Sequence, residues 1–342
     1  MKKILTITLL LFGFSSISIA QQEPQFTQYM LNRLSYNPGA AGASGSMCAM
    51  LMYRNQWLGL KLDAPEPGLS GASTPTAYMF SFDSPVKILH GGIGLSAYQE
   101  QVGYHTNMAL AFNYAFRMFW GPGNLAAGIE GELYNLSFDA DKLRGETDLT
   151  GLSGQMSSGS SDPSINAASK GASMFDMSVG LFYQVPGSYY IGASVKDILG
   201  AKCDELNYSN ARTLYLMGGF EYYIPANPSF KVKPGAMIKT ADFGVYGFDL
   251  SCLLDYRNAF WGGVNVRGGL NKLNTDAISL IGGLNWHKLK LGVAYDLTTS
   301  RLGAGYKQGR SVGTAELYLQ YCFRIIIPQK PPSSYRNTRY LL

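Results

Sequence analysis

The stretch Val245–Gly269, VYGFDLSCLLDYRNAFWGGVNVRGG, decides the fold. In its first arm Phe248, Leu250, Cys252, Leu254 and Tyr256 share one parity, and Asp249, Ser251 and Asp255 share the other. Leu253 is the one apolar residue on the polar side. A period of two sends successive side chains to opposite faces of a strand. The corner Tyr256-Arg257-Asn258-Ala259 reverses the chain, and the second arm sets Phe260, Val264 and Val266 against Asn265 and Arg267. A hairpin with one apolar and one charged face buries the first against a second sheet in a soluble sandwich. In an outer membrane barrel it turns that face to lipid and the charges to a lumen.

Working outward, fourteen amphipathic segments follow one another from Met47–Trp57 to Gly313–Phe323. The connections discriminate between the two architectures. Taken alternately, one set is short, as at Gly121-Pro122-Gly123, Pro186-Gly187, Arg257-Asn258 and Trp286-His287. The other set holds every long loop: Leu58–Pro75, Ala140–Met174, Asp197–Arg212 and Thr298–Val312. A sandwich has no reason to sort loop length by parity, whereas bacterial outer membrane barrels keep short periplasmic turns and long outer loops. The expected fold is therefore all-β: a closed antiparallel outer membrane β-barrel of about 14 strands over residues 46–324.

Composition allows this reading without choosing it. A charged share of 15% and an aromatic share of 13% suit a membrane sheet, and a net charge of +5 is too mild to imply a nucleic-acid partner. Lys2 and Lys3, the apolar run Ile4–Phe14 and the small residues Ser18 and Ala20 read as a secretory signal over residues 1–20. No later run approaches the roughly 18 apolar residues of a membrane helix. Residues 21–45 are a polar lead, read as a periplasmic segment or a plug, and residues 325–342 are a basic tail expected in the periplasm.

Catalytic chemistry is not visible. His90, His105 and His287 lie in unrelated segments, and no nucleophile elbow, zinc-protease or phosphate-loop motif occurs. No cofactor or metal is expected. Glu130 and Glu132 share a face and mimic an acid/base pair, but read better as lumen charges paired with lysines such as Lys231 and Lys233. The inward set also includes Arg54, Asp83, Arg117, Asp249, Asp255, Arg267, Lys288, Lys290, Asp296 and Glu316. Mixed signs argue against a selective ion pore. They suit either a lumen stapled or plugged through ion pairs or one that is merely wet. Cys48 and Cys322 share the inward parity at the start of the first strand and the end of the last, a candidate disulfide across the seam.

The motifs Gln25-Phe26-x-Gln28-Tyr29-Met30-x-Asn32, Tyr36-Asn37-Pro38-Gly39-x-Ala41-Gly42 and Tyr53-Arg54-Asn55-Gln56-Trp57 resemble the start of the PorP/SprF family of type IX secretion proteins from Bacteroidetes. Phe260-Trp261-Gly262-Gly263-Val264 and Ala294-Tyr295-Asp296-Leu297-Thr298-Thr299 are similar to later family patterns. At Gly313-Thr314-Ala315-Glu316 the chain departs from the family's Gly-Ser-His-Glu, which keeps the glutamate but puts any role of the histidine in doubt. The resemblance implies a non-enzymatic outer membrane component of the type IX secretion and gliding apparatus. It would anchor a secreted surface protein, often an adhesin, through that cargo's C-terminal domain. An OmpA-like peptidoglycan-binding protein or another type IX component is the implied periplasmic partner. The other reading is a porin for small solutes.

Overall fold

A computed structural model describes residues 24–59, 74–103, 105–138, 171–203, 208–270, 274–300 and 311–323. The segments read as a signal (1–20) and a tail (325–342), and residues 140–170 of the longest loop, lie outside the described residues.

The strands are β1 (Met47–Leu58), β2 (Thr76–Val86), β3 (Gly91–Val102), β4 (His105–Trp120), β5 (Gly123–Phe138), β6 (Ala172–Val185), β7 (Tyr189–Lys196), β8 (Lys202–Cys203), β9 (Tyr208–Ser209), β10 (Thr213–Phe220), β11 (Tyr222–Tyr223), β12 (Phe230–Ala241), β13 (Val245–Tyr256), β14 (Phe260–Gly269), β15 (Asn274–Trp286), β16 (Leu289–Thr298) and β17 (Gly313–Phe323). Fourteen of them, β1 to β7, β10 and β12 to β17, pair antiparallel with their neighbours, and β17 returns to β1, so the sheet has no free edge. After β10 the strand is interrupted at Glu221, beyond which β11 continues along β12. β8 and β9 form a separate small ribbon within the β7–β10 connection.

Alternation sets the faces. Along β6 exposed and buried residues alternate from Ser173 to Phe182, and the second half of β13 alternates in the same way. The outward positions are large and apolar: Phe112, Leu133, Leu181, Leu250 and Leu280 are each more than half exposed. The inward positions are buried and polar, including Glu130, Glu132, Asp249, Asn265, Asp296 and Glu316. An apolar outside around a polar inside inverts the soluble pattern and suits hydrocarbon surroundings. At the short-turn end Trp120, Tyr189, Tyr222, Phe260 and Trp286 project outward, an aromatic belt of the kind found where membrane meets water. The β13–β14 corner is a two-residue turn with φ of +54° at Arg257 and +52° at Asn258, the type I′ geometry that matches strand twist.

The ring closes along the ladder from Met47↔Phe323 to Asn55↔Ala315. Cys48 stands opposite Cys322, and a disulfide joins them with Cα atoms 4.2 Å apart. Lys288 departs from its expected inward place: it is exposed in the β15–β16 turn, one residue before β16 begins, so strand parity does not govern it.

Candidate functional site

The site is the barrel interior, occupied by residues 24–46. These residues lack a clean period and break into two short 3-10 turns, Tyr29–Leu31 and Pro38–Ala40. The second turn is dictated by sequence. Asn37 caps it by accepting the Gly39 N–H (2.8 Å), and Pro38 occupies the first turn, where its missing N–H costs nothing. The same Asn37 amide donates to the Leu181 carbonyl of β6 (2.9 Å) and the Ala193 carbonyl of β7 (3.3 Å).

Around this turn the wall makes room with glycines. A Cβ on Gly128 would lie 2.3 Å from the carbonyl carbon of Pro38 and from the Gly39 nitrogen, and one on Gly92 would lie 2.2 Å from the Ala41 oxygen. Gly92 and Gly128 thus admit the inner segment where any side chain would meet its backbone. The exit toward β1 is clamped by charge: Arg117 donates to the Ala41 and Gly42 carbonyls (both 2.8 Å), and Asp83 accepts the Gly42 N–H (3.0 Å).

The first half of the segment is held mostly by carboxylates. Thr27 donates its N–H to Glu316 (2.7 Å) and its hydroxyl to Asp296 (2.8 Å), while Gln28 donates its N–H to Glu316 (3.2 Å). Arg54 bridges the same two acids, at 3.1 Å from Asp296 and in closer contact with Glu316. Arg54, Asp296 and Glu316 belong to β1, β16 and β17, so this cluster spans the seam. A second cluster centres on Asp249, which accepts from Arg267 (2.8 Å), Lys239 (2.9 Å) and Asn265 (3.3 Å). From it Arg267 reaches the Phe26 carbonyl (3.0 Å), and Lys239 bonds the Gln25 side chain. Such buried charges are tolerable only because each is paired and hydrogen-bonded. Lys239, Arg267 and Asp296 each lie two residues from the long-loop ends of their strands, so the segment starts near that mouth and leaves by the short-turn end.

The other expected residues join the same interior. The Tyr29 hydroxyl bonds Ser251 (3.1 Å), Asn32 donates to the Met79 sulfur, and the Tyr36 hydroxyl accepts the Phe26 N–H (3.1 Å). Pro38 is buried in the wall-facing turn. Glu130 and Glu132 are not brought to Lys231 and Lys233. Their cation is Lys196 of β7, at 3.4 and 3.3 Å, while Lys231 pairs with Glu221 and Lys233 with Asp255. Parity placed Glu130, Glu132, Lys231, Lys233 and Asp255 inside but did not name Lys196 or Glu221; register and tilt decide which inward groups meet, and the long loop before β6 hides both.

Two features escaped sequence reasoning. Leu253 sits on the polar face because, with Trp261, Ile281 and Ala294, it forms an inward apolar patch against Met30 and Leu31. The β7–β10 connection, expected wholly on the outside, folds its ends inward. The buried Asp176 accepts N–H groups from Leu199 (2.9 Å) and Ala201 (2.8 Å), and Tyr134 donates to Asp197 (2.7 Å). Among the described residues no group of three or more His, Cys, Asp or Glu is arranged to hold a metal ion.

Among solved structures, the chain is similar to the outer membrane protein Omp33 of Acinetobacter baumannii (TM-score 0.44, 5% identity, 81% of this chain and 99% of that one). It is also similar to the monoaromatic hydrocarbon channel CymD (TM-score 0.46, 12% identity, 90% and 95%). A mutant of the TodX monoaromatic hydrocarbon channel gives a TM-score of 0.47 at 10% identity over 85% and 94%. No match is found among curated proteins. The model of the type IX secretion system membrane protein PorP/SprF matches residues 18–321. With its closed ring, apolar exterior and filled polar lumen, this chain is an outer membrane β-barrel and belongs to the PorP/SprF family of type IX secretion system membrane proteins.

Proposed function

We propose that this chain is a plugged anchor: a barrel that holds a secreted surface protein at its long-loop face and links it to periplasmic machinery at its short-turn face. The observation that carries this reading is the filled lumen. Phe26, Gln28, Tyr29, Asn32 and Asn37 are almost fully buried. The segment that contains them bonds to wall strands on every side. An interior occupied in this way leaves no standing water-filled passage through the described residues, which weighs against an open porin. On this reading residues 21–45 act as the plug, and the cargo, an adhesin or other surface protein, docks through its C-terminal domain on the long loops. An OmpA-like peptidoglycan-binding protein or another type IX component meets the periplasmic rim and the tail at residues 325–342.

Affinity purification from outer membranes in gentle detergent tests the proposal. A surface protein or an OmpA-like partner should come down with the barrel, and a clean monomer counts against anchoring. Planar-bilayer recording separates the channel reading. The intact protein should stay silent, whereas stable large openings would favour solute transport.

A further inference from the structure

A cavity of about 210 Å³ remains at the short-turn end, between the inner segment and the wall. Its outer rim is the exposed turn at Gly187 and Ser188, and its floor includes Arg33, Trp261 and Lys290. These three side chains offer donors without acceptors. The Arg33 guanidinium lies 4.7 Å from the Tyr190 ring centroid, and the Lys290 ammonium lies 4.8 Å from that of Trp261. Neither cation has a carboxylate within ion-pair distance among the described residues. The buried Trp261 Nε1 has no hydrogen-bond partner there either. The two acids on the lining are already satisfied. Asp255 accepts from Lys233 (2.9 Å) and from the Asn258 N–H (2.9 Å), and Glu221 pairs with Lys231 (3.0 Å).

A half-buried pocket with two surplus cations favours an anionic, acceptor-only group. Its volume admits a side chain and not a folded domain. Wall strands separate it from the bilayer, so a lipid headgroup reaches it only by leaving the membrane. We propose that this vestibule receives the carboxylate of an acidic peptide segment presented from the short-turn side, by a periplasmic partner. Arg33 and Lys290 would pair with the carboxylate, and the Trp261 ring, 4.8 Å from the Lys290 ammonium, would report its arrival. The identity of the source as a partner protein rests on the anchor reading above; the chemistry of the pocket does not.

The test uses the full-length barrel in detergent, with 5-fluorotryptophan incorporated and the Trp261 resonance assigned through Trp261→Phe. The probe is acetyl-Gly-Glu-Gly-amide, compared with its glutamine analogue and with inorganic phosphate. The glutamate peptide should shift the Trp261 signal saturably, and the glutamine analogue should bind at least about tenfold more weakly, the size expected for a charge-assisted pair. Lys290→Gln and Arg33→Gln should each weaken the response by a similar factor, with Lys290→Arg retaining most of it and heat-modifiable gel mobility reporting an intact barrel. Equal responses to the two peptides, no response, tighter binding of phosphate, or folded variants that bind like the parent would each overturn the assignment. If Lys290→Gln loses the peptide but keeps its partner in the outer membrane purification, the carboxylate pocket stands and its assignment to that partner is overturned, with the anchor reading intact. If the parent has no partner yet responds to the peptide, the anchor reading alone fails.

Discussion

The two halves of the inner segment are held by different physics. Residues 37–42 are seated mainly by shape: a capped turn pressed against Gly92 and Gly128, with wall carbonyls accepting from Asn37 and charge entering only at the exit, through Arg117 and Asp83. Residues 25–28 are held mainly by charge, between the Arg54–Asp296–Glu316 cluster and the Asp249 hub. Shape complementarity fails when volume is added. A buried ionic network fails when one member is taken away, because the others are left charged and alone. The comparison teaches that one short segment can be displaced from either end by unlike changes.

The largest effect should come from breaking the charged half at its centre. Asp249→Ala strands Arg267 and Lys239 inside the wall, and loss of one partner from a buried network costs about 3–5 kcal/mol. Urea titration of the detergent-solubilised barrel should show this as a much earlier midpoint. Next comes the shaped half. Gly128→Ala sets a methyl against the Pro38–Gly39 backbone, which has no flexible end to move, at a cost of about 1–3 kcal/mol. Limited proteolysis should then cut before Ser46 while the parent resists.

Asn37→Ala sharpens the contrast, since it removes a cap and two wall bonds without adding volume. A loss of about 1–2 kcal/mol is expected by the same titration, with the ring still closed. The smallest effect belongs outside both halves. Lys231→Gln opens the more exposed Glu221 pair and should shift the midpoint by less than about 1 kcal/mol.

Much of this was legible in the chain. Alternation along β13 and β14 put Asp249, Ser251, Asp255, Asn265 and Arg267 on one face, and all five are buried inside, because a period of two leaves a strand no other choice. The parity of loop lengths separated the two mouths of the ring. The partners inside were harder to read. Glu130 and Lys196 lie on β5 and β7, separated by β6, and their meeting depends on stagger across a loop whose length says nothing about register. Leu253 looked like an error in the pattern until Met30 and Leu31 supplied its apolar neighbours. A segment without periodicity announces neither its path nor its contacts, so the wall positions that answer to it look irregular when the wall is read alone.

The bond between Cys48 and Cys322, 274 residues apart, makes the wall a macrocycle. Boiling in detergent can strip every ladder hydrogen bond and still leave a loop that runs faster on a gel than the reduced thread. The native register sets the two sulfurs face to face, so pairing of the opening and closing strands and oxidation of the thiols favour one another. In a pulse-labelled culture the oxidised fraction should rise as rings close.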